Sequence, residues 1–422
     1  MMTMTTSTST STLGSLSEPS SSKNATSRTA SSVHDIKSEK PPFGARILRD
    51  GADVWSHNAW DHVPPPVDQQ ETIAAALAIQ HLEPVPEKDK PIYHNWPARH
   101  WNTFYKQNGE KFFRNRKWLL IEFPELFEAT RATSGPVTIA EIGCGAGNAV
   151  FPLLAANENS QLHLKAFDYS AEAVKLVREK PQYQTPPVGT IHADVWDLTS
   201  AELPAGLGPE SVDFVLLVFV FSALHPHEWR QAVHNIHKIL KPGGKVMLRD
   251  YGRYDLAQIR FKGGRLLEEN FYIRGDKTRV YFFELDELAL LFTGAIAPSV
   301  WKQYGQPVKV EEEEEEEGED GDSSRGSTPG AESTDSLPPA TSPELSSSGQ
   351  EELNIIAAGI QETPTVARTG IHPSLLSQNG EGSPHAMFNI EQLGVDRRLI
   401  VNRKRQLKMY RAWMQAKFQK LS

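Results

Sequence analysis

"PVTIAEIGCGAGNAVFPLLAANENSQLHLKAFDYSAEAVKLVREK", residues 136–180, carries the pattern that decides the fold. An apolar run from Val137 to Ile142 enters a turn containing Gly143, Gly145 and Gly147, and a stretch with helical spacing leads to a second apolar run ending at Asp168. Strand, glycine turn, helix and strand make a βαβ unit. Glycines let the backbone turn tightly and approach a ligand, while a carboxylate ending the next strand can accept both hydroxyls of a ribose.

A dinucleotide loop reads GxGxxG and seats a pyrophosphate on a helix N-terminus. Here the spacing is GxGxG, and Glu141 stands just before it. A carboxylate there would repel phosphate but suits a cofactor carrying an ammonium and a sulfonium, so the loop reads as a site for S-adenosylmethionine. Gly143, Gly145 and Asp168 are the cofactor-binding candidates. Alone, the glycines could serve only a turn and Asp168 only a helix cap; the segments downstream decide. "GTIHADVWDL" gives a short strand with Asp194 placed to accept from an adenine amino group, "SVDFVLLVFVFSALHP" a buried strand entering a loop, and "IHKILKPGGKVMLRDYG" a helix, a Pro-Gly-Gly turn and another strand. Strand ends near 142, 168, 194, 220 and 250 would share one sheet edge, where open parallel sheets bind ligands. The expected fold is α/β, a class I S-adenosylmethionine-dependent methyltransferase with a Rossmann-like seven-stranded sheet whose last strand is antiparallel.

Charge divides the 422-residue chain. Its formal net charge is −9, but residues 311–383, opening "EEEEEEEGEDGD", hold 17 acidic and 2 basic residues. Removing that −15 leaves +6 on the rest, and residues 384–422 carry 9 basic residues against 2 acidic. The acidic segment is rich in Ser, Pro, Gly and Glu and cannot bury enough apolar surface to offset chain entropy, so it reads as a disordered insert at 307–385. The Ser/Thr-rich residues 1–40 read as a disordered tail; with one Arg they do not resemble a mitochondrial presequence, and a cytoplasmic location is expected. Between them lie an extension at 41–130 and the core at 131–306, completed by basic final strands at 386–422. No apolar run is long enough to span a bilayer. The sole cysteine, Cys144, excludes internal disulfides and a Cys-built zinc site. His225, His227, His234 and His237 lack cysteine partners, so no metal is expected.

Absences narrow the acceptor. Methylation at C5 of a pyrimidine requires a Cys nucleophile, and the one cysteine lies in the cofactor loop. The Asn/Asp-Pro-Pro-Tyr motif that holds exocyclic amino groups is missing after the fourth strand, where "VFSALHP" stands. Arginine methylation would want two carboxylates, and the loop offers only Glu228, better placed in the first turn of a helix. A nucleophile with a free lone pair remains, such as a pyridine-type ring nitrogen, which needs alignment more than a base. Its methylation creates a cation that a carboxylate would stabilise. Asp250, ending the fifth strand, is the catalytic candidate.

"WNTFYKQNGEKFFRNRKWLLIEFPEL", "EIGCGAGNAVFPLL", "FDYSAEAV", "FSALHP", "LKPGGKVMLRDYGRYDLAQIRF", "NFYIRGDKTRVYFF" and "VDRRLIVNRKRQLKMYRAWMQAKF" together resemble the tRNA 3-methylcytidine methyltransferases of the methyltransferase-like group, over residues 43–305 and 388–420. The resemblance implies methylation of N3 of cytidine 32 in the anticodon loop. It also implies cofactor contacts at Trp101, Tyr105, Gly143, Asp168, Asp194, Val195 and Val218; unaided, Trp101 and Tyr105 read as core packing on one helix face. "FGARILRDGADVWSHNAWDHV" resembles the N-terminal RNA-binding extension of relatives that act on threonine tRNA, in some cases also arginine tRNA, whereas shorter relatives act on serine tRNA with help from its synthetase, so threonine tRNA is the expected substrate. The implied partner is the tRNA anticodon stem-loop; an accessory protein is left open, and neither DNA nor a membrane is expected.

Residues 249–279 hold eight Lys/Arg against five Asp/Glu, threaded with aromatics, just past the fifth strand. An extracted base needs an aromatic platform, and phosphates need basic side chains. Arg260, Arg274 and Arg279 are candidates for base or phosphate contacts and Phe261, with Phe271 or Tyr272, for stacking; the plainer reading has the aromatics packing the domain and the charges facing water. Competing functions are methylation of a small molecule or protein, and a catalytically silent RNA-binding subunit.

Overall fold

The computed structural model describes residues 46–49, 51–63, 66, 68–116, 118–298, 370–376 and 386–421. The Ser/Thr-rich tail and the acidic run beginning at Glu311 lie outside the described residues.

The strands are β1 (Ala59–Asp61), β2 (Val137–Ile142), β3 (Leu162–Asp168), β4 (Thr190–Val195), β5 (Val212–Val218), β6 (Leu240–Tyr251), β7 (Leu266–Glu268), β8 (Phe271–Ile273), β9 (Arg279–Tyr281), β10 (Phe388–Asn402) and β11 (Leu407–Lys420). The main sheet has the order β1-β10-β11-β6-β5-β2-β3-β4. Strands β2 to β6 run parallel, and β11 lies antiparallel between β6 and β10. The expected seven strands are present with their antiparallel member. The eighth, β1, comes from the N-terminal extension and pairs antiparallel with β10. Three residues on an edge leave little signal in sequence.

Alternation along the strands explains why both faces are covered. On β2, Ile139 packs with Leu153, Leu154, Val174 and Val177, whereas Ala140 and Ile142 pack with Val233, Ile236 and Leu288 on the other face. The first group rides on helices Val150–Ala155 and Ala171–Arg178, the second on Trp229–Ile239 and Leu285–Thr293. Each fully buried aliphatic side chain contributes roughly 1.5–3 kcal/mol, so the two layers supply most of the driving force. Helix Ala171–Arg178 starts where Ser170 Oγ accepts from the Ala173 N–H at 3.2 Å, with Glu172 in its first turn and Arg178 in its last, each favourable to the helix dipole.

Two local expectations are revised. The Pro-Gly-Gly stretch is not a turn before β6 but a bulge within it, where pairing shifts after Val212↔Leu240 and Gly243 sits at φ +76°. Strand β5 ends at Val218, two residues short of the expected end, and Phe219, at φ +60°, leaves the extended backbone. A third revision concerns the insert. Residues 370–376, inside the segment expected to be disordered, contain the helical turn Pro373–Leu376, and Leu375 is buried in the main core. Past β6 the chain builds a small sheet, β7-β8-β9.

After β4 at one edge, the chain crosses to β5 on the other side of β2. The point where strand order reverses therefore lies between the carboxyl ends of β2 and β5, which places the ligand site.

Candidate active site at the carboxyl edge of the sheet

Gly143, Gly145 and Gly147 all take positive φ, at +69°, +54° and +83°. A Cβ on Gly143 would come 2.5 Å from Val220 Cγ2, and one on Gly145 would come 2.6 Å from the Tyr105 hydroxyl. The loop is therefore closed from one side by the β5 loop and from the other by helix Pro97–Asn108. Trp101 and Tyr105 lie on that helix with ring centroids 6.0 Å apart, near-parallel. Between them Asn102 Oδ1 accepts from Ser170 Oγ at 2.7 Å, tying the helix to the end of β3.

Asp168 is buried. Its Oδ2 accepts from the Gly145 N–H and its Oδ1 from the Ser170 N–H, both at 2.8 Å, and burial pushes its carboxyl up to about 6 against those two donors. The carboxylate thus braces the glycine loop itself. Each oxygen retains a lone pair for a hydroxyl. Asp194 closes β4, where its Oδ1 accepts from the Val195 N–H and from Arg178, each at 2.9 Å. Val195 is 44% exposed, an apolar side chain left open on the ligand edge, while Val218 is buried. Glu141 differs from the charged carboxylate expected there: it is buried, its Oε2 accepts from the Val150 N–H at 2.8 Å where the loop enters the helix, and burial raises it to about 8.

Asp250 stands near the end of β6, 1% exposed. The Ser222 N–H donates to its Oδ2 at 3.0 Å and the Tyr251 N–H to its Oδ1 at 2.8 Å. Burial raises its carboxyl to about 6, opposed by Ser222, by the Tyr251 N–H and by the charge of Arg274. Val220 lies against Gly143 two residues before Ser222 holds Asp250, so one turn joins the cofactor loop to this carboxylate. Phe219 anchors that turn, donating its N–H to Arg249 O at 2.8 Å and packing its ring 4.6 Å from Tyr251.

The acceptor candidates separate. Arg260 is exposed at the end of the short helix Leu256–Ile259. Phe261 is half-buried and stacks on Tyr272 at 4.8 Å with 5° between the planes. Arg274 lies 5.4 Å above the Tyr251 ring and donates to Arg279 O at 3.2 Å. Arg279 corrects the sequence reading. It is 4% exposed, donates to Ala223 O at 3.2 Å and pairs with Glu228 at 3.2 Å, so it holds the β5 loop from behind instead of facing solvent. Phe271 and Tyr272 are buried too and pack the small sheet. Glu228 closes a capping box with His225, as its place in a first turn suggested.

Ser222, Val220 and Asn102 escape the sequence reading. Ser222 alone had a signal, a polar residue just past a buried strand, in "FSALHP". Among the described residues no group of three or more His, Cys, Asp or Glu is arranged to hold a metal ion, and no helix is long and apolar enough to cross a membrane.

The strand order, a glycine loop whose Cβ positions are sterically closed, and a buried acid ending β3 fit S-adenosylmethionine and define a class I methyltransferase. A family model described as a methyltransferase domain matches residues 140–246. The chain is 42% identical over 378 residues to the tRNA(Thr) (cytosine(32)-N(3))-methyltransferase of Saccharomyces cerevisiae, covering 89% of this chain and 45% of that one. It is 36% identical to the tRNA N(3)-methylcytidine methyltransferase of Schizosaccharomyces pombe, covering 90% and 92% respectively, and 38% identical to a Danio rerio tRNA N(3)-cytidine methyltransferase, covering 61% and 80%. The chain belongs to the tRNA N3-cytidine methyltransferase family.

Proposed function

We propose that this protein methylates N3 of cytidine 32 in the anticodon loop of tRNA, threonine tRNA foremost, with Asp250 as its catalytic residue. The observation that carries the reading is the placement of Asp250, a buried carboxylate fixed by two backbone donors and joined by one turn to the glycine loop.

S-adenosylmethionine, when bound, supplies an electrophilic methyl group on a sulfonium. Gly143, Gly145, Asp168, Asp194, Val195 and Val218, with Trp101 and Tyr105 behind the loop, are the residues that would hold it. Cytidine N3 carries an in-plane lone pair, so no proton has to leave before attack, and alignment dominates. The methylated base is a cation. With a pKa of about 6, Asp250 is largely ionised at neutral pH and can stabilise that charge where water is excluded.

Register supports a substrate surface at this edge. β6 ends at Tyr251 opposite Trp413, yet β11 continues back to Leu407. The β10–β11 hairpin therefore overhangs the carboxyl edge by six residues of β11, ~20 Å at about 3.3 Å per residue. Its tip, Arg403, Lys404 and Arg405, is exposed on the side where Asp250 lies. β1 pairs along this overhang, so the N-terminal extension and the basic hairpin form one wall. Arg260 and Phe261 contribute another. An anticodon loop is single-stranded, and drawing one base out of it costs only a few kcal/mol.

Purified protein incubated with S-adenosylmethionine and total tRNA should yield 3-methylcytidine by nucleoside mass spectrometry, mapped to position 32 by sequencing. No product on any tRNA, with or without cell extract, overturns the reading.

A further inference from the structure

We infer that residues 370–376 clip onto the loop that carries Ser222 and thereby position Asp250 for methyl transfer, with His372 as the pin. This inference rests on the methyl-transfer reading above.

The sequence marks these seven residues as part of an acidic insert, but they are bound to the catalytic domain from several sides. The His372 N–H donates to Glu287 Oε1 at 2.8 Å, and the ring joins Ser374 Oγ at 2.8 Å through Nδ1 and Glu268 Oε2 at 3.1 Å through Nε2. Arg230 donates to Leu375 O at 3.1 Å, and the Leu375 side chain is 4% exposed in the main core. The partners come from β7 and from two different helices, so the segment has one seat. His372 is buried, with its ring 5.8 Å from Trp229 and 6.0 Å from Tyr281.

The seat leads to the reacting edge. Ser374 Oγ, held by the His372 ring, donates to Pro226 O of the turn at 3.5 Å, and Glu268, also held by His372, packs 3.7 Å from His225 Nε2 through its other oxygen. The backbone N–H of His225 donates to Glu228 Oε2 at 2.6 Å, and that same oxygen pairs with Arg279, whose Nε holds Ala223 O at 3.2 Å. Ala223 follows Ser222, the donor to Asp250. The Glu268–His225 approach is a close polar packing contact and the remaining links are hydrogen bonds, two of them to backbone atoms of the turn at His225 and Ala223, so loosening the seat of His372 lets the turn at 221–228 shift. A small misplacement of a group that stabilises charge costs rate and leaves cofactor binding intact.

The test separates His372→Asn, which keeps a polar atom near Ser374 but cannot reach Glu268, from His372→Gln, which can reach Glu268. With threonine tRNA and saturating cofactor, His372→Asn should lower kcat about tenfold, cofactor Kd should stay within twofold, and His372→Gln should recover most of the rate. In an Asp250→Asn background, His372→Asn should cost nothing further. Unchanged kcat in His372→Asn, equal losses in the two His372 variants, or full additivity with Asp250→Asn overturns the clip. Wild-type protein that makes no 3-methylcytidine overturns the proposed function instead.

Discussion

The backbone N–H of Ser222 lies 3.0 Å from Asp250 Oδ2, so the turn after β5 and the end of β6 are held together by the carboxylate assigned to charge stabilisation. Asp250→Asn keeps the size and removes the charge. The expected outcome is loss of kcat by about a hundredfold with S-adenosylmethionine affinity within twofold. In the wild type, kcat at saturating cofactor should fall as pH drops through about 6, where Asp250 takes up a proton, and that acid limb should vanish in Asp250→Asn. Full activity in the variant sinks the role.

Gly145→Ala should cost cofactor affinity. The added Cβ meets the Tyr105 hydroxyl at 2.6 Å, and φ +54° adds roughly 1–2 kcal/mol of backbone strain. Calorimetric titration should show at least about tenfold weaker binding, and Tyr105→Phe in the same chain should restore part of it by removing the clashing oxygen. Wild-type affinity in Gly145→Ala would show that the loop relaxes freely.

Glu141 predicts a pH dependence of stability. Its folded pKa of about 8 lies above its ordinary 4.5, so the folded state holds a proton that the unfolded chain releases. The stability this group contributes is complete below 4.5 and is lost as pH rises through about 8. Glu141→Gln does not titrate, and its amide oxygen can still accept from Val150. Between pH 6 and about 9 the melting temperature of the cofactor-free variant should therefore fall less than that of the wild type. Parallel curves refute the assignment.

Asp396 is buried between Arg249 and Arg398, and Arg398 also reaches Asp61 on β1 at 3.2 Å and Glu122 at 2.7 Å. Removing the acid leaves two guanidiniums without their shared partner. Asp396→Ala should destabilise the fold by about 3–5 kcal/mol in urea titrations, far more than Arg131→Ala at the exposed pair with Glu128. Similar effects at both sites would count against it.

If the hairpin tip touches phosphates, Arg403→Ala and Arg405→Ala should each flatten the log–log salt dependence of tRNA binding by about one unit. The effect should not depend on tRNA sequence. An unchanged slope removes the tip from the interface.

The βαβ unit, the strand ends and the buried acid after β3 were legible because their causes are local. Apolar alternation specifies a strand that must bury a face, and glycine spacing specifies backbone at positive φ; neither depends on distant partners. The bulge in β6 was missed because Pro-Gly-Gly reads equally as a turn until neighbouring strands fix the register. Arg279 was misassigned for a related reason. A basic residue in a charged stretch reads as solvent-facing, and only the arrival of Glu228 and Ala223, more than fifty residues earlier, gives its guanidinium a buried seat.

By itself the sequence determined the class of sheet, the glycine loop and the carboxylate at the end of β6, since each is written in a short window of residue types. Tertiary structure decided which charges face the substrate, that β1 extends the sheet, and that His372 docks against the domain from within the acidic segment. Those outcomes depend on burial and on hydrogen-bond partners far away in the chain, and both exist only once the two apolar layers have closed on the sheet.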